Sequence, residues 1–156
     1  MKLYLASVLF ILSFFFGNSQ TIAEHYQTKD FDVAIFPKEY ELYGFEKRFK
    51  PTKEEIAKAE QALKMQLKEI NKNQPNQSSS PVIHKNLKKY KRQYIGFYDE
   101  NGKKCLLINC FWADDKNDDH WLNDLVLVED GGSYYWEIKY SVDDDQLFDL
   151  HVNGYS

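Results

Sequence analysis

Apolar residues recur at steps of three and four along one segment in the first half of the chain. This spacing places them on a single face of an α-helix, at positions Ile56, Ala59, Leu63, Leu67 and Ile70. Just before them, Thr52 and Glu55 stand three residues apart, the spacing of a capping box. The opposite face carries the pairs Glu54 with Lys58 and Glu60 with Lys64, each contributing only about 0.2–0.5 kcal/mol. Burial of the apolar stripe must therefore hold this helix in place.

A different pattern, strict alternation, marks the last third of the chain. In Leu125 to Val152 it predicts three antiparallel strands, joined by a turn at Gly131-Gly132 and an Asp-rich turn at 143–145. With the two glycines at the centre of the first turn, Leu127 faces Trp136 and Leu125 faces Ile138. One face is then apolar throughout and is predicted to be buried, through Trp136, Ile138, Tyr140, Val142, Phe148, Leu150 and Val152.

A second hairpin is predicted from Tyr90 to Trp112, turning at Asn101-Gly102. Counting outward from a two-residue turn pairs Phe97 with Leu106 and Ile95 with Ile108. Tyr94 would then lie opposite Asn109 on the other face. In the second strand of the hairpin, an apolar face is predicted to point toward the helix, through Leu106, Ile108, Cys110 and Trp112.

The ends and linkers of the chain set its domain organisation. Residues 1–19 have the pattern of a secretory signal peptide, with Lys2, an apolar run and small residues before Gln20. Residues 20–156 are long enough for one α+β domain, with a polar loop at 71–81 predicted to be mobile. We therefore expect an exported protein, periplasmic or extracellular, with no membrane association after cleavage. The packing of residues 20–50 and the oligomeric state are left open.

These elements predict an α+β fold, in which one N-terminal helix packs on a four- to five-stranded antiparallel meander sheet. This order resembles the cystatin-like architecture, a helix laid across a curled sheet. The inhibitory Gln-x-Val-x-Gly tip of cystatins is missing, because Gln93-Tyr94-Ile95-Gly96 has another spacing and lies within a predicted strand. The resemblance therefore implies a cystatin-like roll without that inhibitory motif.

The last third of the chain also resembles small exported bacterial proteins of unassigned activity. The resemblance rests on Ile108 to Trp112, on Val128 to Gly132 with the aromatic strand after it, and on Val152-Asn153-Gly154. These motifs are structural, and they imply no catalytic residue.

The charge balance argues against general nucleic-acid binding. The chain has 20 basic and 24 acidic residues, and loss of Lys2 with the leader makes it more acidic. One local exception is the cationic run Lys85 to Tyr94, whose alternation with tyrosine could follow a phosphate backbone. Cys105 and Cys110 fall five residues apart in one strand, so their side chains point to opposite faces and no disulfide between them is expected.

The acidic stretch Ala113 to His120 is the first candidate for chemistry. Asp115, Asn117 and Asp119 have the spacing that opens a calcium-binding loop, but the later positions of such a loop are not matched. A solvated strand connection and a weak calcium site both remain open. No sequence motif for a cofactor or a catalytic nucleophile is present.

The sheet face away from the helix is the main candidate for binding. It is predicted to carry aromatic side chains together with polar ones, the aromatic set being Tyr94, Tyr98, Phe111 and Tyr135, with Trp121 nearby. The alternative is that residues 30–49 cover this face. We expect a non-catalytic exported module that uses this face or a sheet edge to hold a protein partner. Two alternatives are a carboxylate-dependent hydrolase using loop 113–120 and a glycan-binding protein.

Overall fold

The structure is a computed structural model that describes residues 22–112 and 119–155. The predicted signal peptide lies outside these ranges. The fold is α+β, as predicted, with one α-helix, α1, spanning Lys53–Ile70 in the described part of the chain. The strands are β1 (Glu24–Gln27), β2 (Asp32–Ile35), β3 (Arg48–Phe49), β4 (Tyr90–Tyr98), β5 (Lys104–Trp112), β6 (Tyr135–Ser141) and β7 (Gln146–Val152).

The described strands form one sheet of seven rather than the predicted four or five. Strands β4 to β7 make an antiparallel meander, whereas β2 pairs in parallel with the first half of β4. Strand β3 pairs antiparallel with the second half of that same edge, and β1 closes the sheet beside β2. The extra strands come from residues 24–49, where short elements depend on distant partners rather than on a long local pattern.

Helix α1 is confirmed, together with its capping box. The Glu55 amide donates to the Thr52 hydroxyl at 3.2 Å, and the Thr52 amide donates to the Glu55 carboxylate at 2.9 Å. The predicted stripe lies against one face of the sheet, with Ile70 partly buried and the others fully buried. At about 1.5–3 kcal/mol for each large apolar side chain, this burial outweighs the surface ion pairs.

The turn between β4 and β5 has three residues rather than the predicted two. The Gly102 amide donates to the Asp99 carbonyl at 2.9 Å, and Gly102 has a φ of +78°. The Asp99 carboxylate accepts from the amides of Asn101 and Lys103 at 2.9 and 2.8 Å. This side chain stabilises a type I turn followed by a left-handed glycine, which shifts the strand register by one residue.

The shift exchanges the two faces of β4 relative to the prediction. Tyr94 pairs with Ile108 instead of the predicted Asn109, and its ring is buried on the helix side. Ile95 and Phe97 take the second face, away from the helix. The predicted position of Tyr94 on the second face is therefore wrong, whereas the faces predicted for β5 are confirmed.

Residues 125–130 do not form the predicted strand, because β6 pairs directly with β5. The chain at residues 124–130 crosses the second face, where side-chain amides from β4, from β5 and from the residue after β7 bind its carbonyl groups. Gln93 and Asn109 donate to the carbonyls of residues 124 and 126 at 2.7 and 2.9 Å. Asn153 donates to that of Asp130 at 3.1 Å. These bonds take the place of a strand partner, and Leu127 is left 76% exposed.

The last strand keeps only part of its predicted alternation. Leu147 and Val152 are buried, but Phe148 is exposed. The register shifts by one residue between the pairs Glu137 with His151 and Lys139 with Phe148, and Asp149 has a φ of +54°. The shift has the features of a β-bulge, which reverses the side-chain orientation within one strand.

A hydrophobic core lies on each of the two faces of the sheet. The helix-side core joins α1 to the sheet, and the second core lies under residues 36–45 and 121–126. Cys105 is buried in the second core and Cys110 in the helix-side core, so the prediction of two separate free thiols is confirmed.

The polar loop after α1 makes specific hydrogen bonds. Asn71 and Gln77 are buried and exchange side-chain hydrogen bonds of 2.9 and 2.6 Å. The Asn76 amide group donates to the Val152 carbonyl at 3.0 Å. These contacts connect the loop predicted to be mobile to the end of α1 and to β7. Among the described residues, none of the helices combines the length and apolar character that crossing a membrane requires.

Candidate functional site

The structure divides the predicted aromatic set between the two faces of the sheet. Tyr94 and Tyr98 lie on the helix side, where Tyr98 is 37% exposed and packs near Phe49. Phe111 and Trp121 are buried together on the second face, with ring centroids 6.0 Å apart. Tyr135 is half-buried beside them. The five side chains therefore do not form one exposed surface.

The second face is largely filled by the protein's own chain, which is the alternative that the sequence left open. Phe36, Tyr40, Leu42 and Phe45 pack onto it from the segment that follows β2. This packing removes the main support for a broad aromatic binding face. What remains is a hollow of about 240 Å³ beside Tyr135, Glu137 and His151.

The acidic loop falls mostly outside the described residues. Asp115 and Asn117 lie in the undescribed segment, so the calcium site that they suggest stays a prediction. Asp119 is exposed at the start of a 3-10 turn. Within the two described ranges, no group of three or more His, Cys, Asp or Glu side chains is arranged to hold a metal ion.

A concave site lies instead where α1, the turns at residues 83–89 and β4 meet. This cleft, which we call the Arg92 cleft, has a volume of about 420 Å³. Its charged lining has five cations against two carboxylates, although the chain as a whole is acidic. The cations are Lys64, Lys85, Lys88, Lys89 and Arg92, and the carboxylates are those of Asp30 and Glu60.

Two charged side chains are buried at the base of this cleft. The side chains of Arg92 and Glu60 are 1% and 4% exposed, and Arg92 Nε lies 3.4 Å from Glu60 Oε1. The Tyr94 hydroxyl donates to the same carboxylate oxygen at 2.8 Å. One end of the guanidinium is held by the Leu87 carbonyl, which accepts from Arg92 Nη2 at 2.7 Å. Arg92 Nε itself has no hydrogen-bond partner.

The two carboxylates of the cleft have opposite electrostatic environments. Burial raises the pKa of Glu60, and the opposing attraction of Arg92 does not cancel this effect. The pKa of Asp30 is lowered, chiefly because Lys88 donates a hydrogen bond to it at 2.8 Å. Burial also lowers the pKa of His84, with help from two neighbouring lysines. Asp30 is therefore ionised at pH 7, and the His84 ring is neutral.

The sequence contained a signal for this site. Glu60 lies four residues after Ile56 and three before Leu63, so it falls on the apolar stripe of the helix. The interpretation that pairs it with Lys64 on the outer face is wrong. Lys64 instead lies 3.5 Å from Asp30, and Glu60 points inward to Arg92. A charged residue at a stripe position is the observation that could have predicted a buried ionic partner.

No protein-family profile, curated protein or solved structure matches this chain. Within the described residues, the fold and the Arg92 cleft define an α+β protein with a concave, lysine-lined cleft between α1 and β4.

Proposed function

We propose that the protein is a non-catalytic binding module that holds a small anionic ligand, a carboxylate or a phosphate, in the Arg92 cleft. The single observation that carries this proposal is the excess of cations that line the cleft above the buried Arg92–Glu60 pair, five against two carboxylates. Ligand sites are commonly concave, with a few charged groups that fix orientation. A volume of about 420 Å³ is within the usual range for a small ligand.

The rim supplies cations that are available to a ligand. Lys85 and Lys89 are exposed, and neither forms a salt bridge with another residue in the described part of the chain. Lys64 and Lys88, by contrast, both bind Asp30. An incoming anion would therefore meet Lys85 and Lys89 first, without having to displace a protein carboxylate from them.

A second candidate function, a carboxylate-dependent hydrolase, is supported by the opposite pKa directions of Glu60 and Asp30 in one cleft. Such a separation is typical of acid and base pairs in active sites. We favour binding because a catalytic acid must touch its substrate, whereas the Glu60 side chain is 4% exposed and one of its oxygens already accepts from Tyr94. Hydrolysis through loop 113–120 stays a prediction.

The setting of this function follows from the sequence predictions. We propose that the mature protein acts outside the cytoplasm after removal of residues 1–19, and that its sheet and helix form a roll of cystatin-like type. A protein partner remains an alternative occupant of the sheet edges.

Titration with citrate and inorganic phosphate, followed by amide chemical shifts in NMR spectra, tests the proposal. We expect saturable shifts concentrated in residues 83–92. The variant Lys85→Gln/Lys89→Gln should weaken binding about tenfold, because loss of two charge-assisted contacts costs at least about 1.4 kcal/mol.

The matched control is Lys38→Gln/Lys47→Gln, which removes the same charge from exposed positions outside the cleft. It should change the affinity less than about twofold, as expected for remote surface charges. Equal weakening by both variants, or shifts spread over all lysine-rich surfaces, would show nonspecific charge attraction and refute the proposal.

A further inference from the structure

A second cleft adjoins the Arg92 cleft. It has a volume of about 500 Å³ and is lined by residues 27–32 and 88–91. The first range contains the turn between β1 and β2, so we call it the hairpin cleft. Its lining includes four lysines, at positions 29, 88, 89 and 91, and two aspartates, at positions 30 and 32.

The two clefts share three lining residues, Asp30, Lys88 and Lys89. These residues form a common wall, with cations on both sides of it. Lys85 lines only the Arg92 cleft, and Lys29 lines only the hairpin cleft. A ligand that extends past the common wall would therefore meet a further lysine, Lys29, in the second cleft.

The lining chemistry distinguishes between classes of polyanion. Asp30, Asp32 and Glu60 place carboxylates among the lysines. Carboxylates repel phosphates and uronates alike, but they accept hydrogen bonds from the hydroxyl groups that every saccharide unit carries and a DNA backbone lacks. The aromatic residues of the cationic run, Tyr90 and Tyr94, are buried in the helix-side core and offer no ring for base stacking. A ligand with both acidic groups and hydroxyl donors fits this lining better than a single-stranded nucleic acid.

We propose that the ligand is an acidic oligosaccharide, and that its successive uronic acid units occupy the Arg92 cleft and the hairpin cleft together. This inference rests on the proposed function, because it extends the anion site of the Arg92 cleft. The carboxylates of the sugar would bind Lys85, Lys89 and Lys29. Its hydroxyl groups would donate to the side-chain oxygen of Gln27 and to Asp32 Oδ2, since Asp32 Oδ1 already lies 2.6 Å from His25 Nε2.

Isothermal titration calorimetry with galacturonic acid and hexagalacturonate at low ionic strength tests the inference on the purified protein. We expect the hexamer to bind at least tenfold more tightly than the monomer, because contacts in the second cleft form within an already bound molecule. Lys29→Gln should remove most of this gain, because it lowers the affinity of the hexamer far more than that of the monomer. Lys85→Gln should weaken both ligands.

The outcomes separate this inference from the proposed function. If the hexamer gains no affinity but the monomer, citrate or phosphate still loses affinity with Lys85→Gln, the extended site is refuted and the proposed function stands. If a hexamer of single-stranded DNA binds as tightly as hexagalacturonate, the site recognises negative charge alone, and the assignment to acidic saccharides is overturned. If the uronates, citrate and phosphate all fail to bind, the proposed function fails with the inference.

Discussion

Removing either member of the buried Arg92–Glu60 pair should destabilise the protein by about 3–5 kcal/mol near neutral pH, because the remaining group is a buried charge without its partner. The structure supports a value in this range, since both side chains are less than 5% exposed. Two single variants, Arg92→Met and Glu60→Gln, test it. The double variant leaves no buried charge, and Gln can still accept from Tyr94, so its cost should fall well below the sum of the single costs.

The pH dependence of the two single variants should have opposite signs. Burial raises the folded-state pKa of Glu60 above its usual 4.5. Between 4.5 and the folded-state pKa, the native protein therefore binds more protons than the unfolded chain, and its free energy of unfolding falls as pH rises. Arg92 limits this rise in the pKa of Glu60. In Arg92→Met the pKa should be higher still, so the loss of stability continues to higher pH and the destabilisation caused by the substitution grows as pH increases. Glu60→Gln removes the titrating group, so its cost should shrink over the same range.

Urea unfolding followed by circular dichroism at pH 5, 6, 7 and 8 measures these free energies. Each unit of additional pKa shift in Arg92→Met corresponds to about 1.4 kcal/mol of extra cost at high pH. The reasoning is refuted if both variants cost less than about 1 kcal/mol at pH 7, or if their costs change with pH in the same direction.

Two further changes test the fold. In urea unfolding, Gly96→Ala should lower the free energy of unfolding by about 1–3 kcal/mol through overpacking, because the added Cβ would lie 2.4 Å from the Phe49 carbonyl oxygen. The control Gly154→Ala adds its Cβ in open space and should cost under about 0.5 kcal/mol. Equal costs would contradict the close β3–β4 contact. Thr52→Ala should lower the free energy of unfolding by about 1 kcal/mol, whereas the control Thr52→Ser should retain most of the capping interaction. An unchanged unfolding midpoint for the alanine variant would show that the capping bond with Glu55 contributes nothing.

Local patterns predicted the elements whose sequence signals are themselves local. The helix follows from a 3.6-residue period and a capping box, both confined to residues 52–70. The faces of β5 follow from alternation within one strand. The pairing of strands β1 to β3 could not be found in the same way, because β2 pairs in parallel with a strand more than fifty residues later in the chain. Such pairing leaves little trace in a short segment.

The covering segment at residues 125–130 shows a second reason for failure. It opens with four consecutive apolar residues, as a buried strand does, and two glycines follow at a position suited to a turn. Its carbonyl groups instead accept from Asn109 on β5 and from Asn153 just after β7, and its Val126 amide donates to Gln93 on β4. The periodicity of a segment does not reveal hydrogen bonds to side-chain amides on distant elements, so the local pattern predicted the wrong backbone partner.

The location of the candidate site follows from the turn between β4 and β5. A two-residue turn would have placed Tyr94 and Arg92 together on the second face, in the predicted aromatic surface. The three-residue turn, stabilised by Asp99, places both on the helix side. There Arg92 meets Glu60, the charged residue on the apolar stripe of α1. The same one-residue shift that removes Tyr94 from the predicted binding face therefore forms the buried ion pair at the base of the cleft.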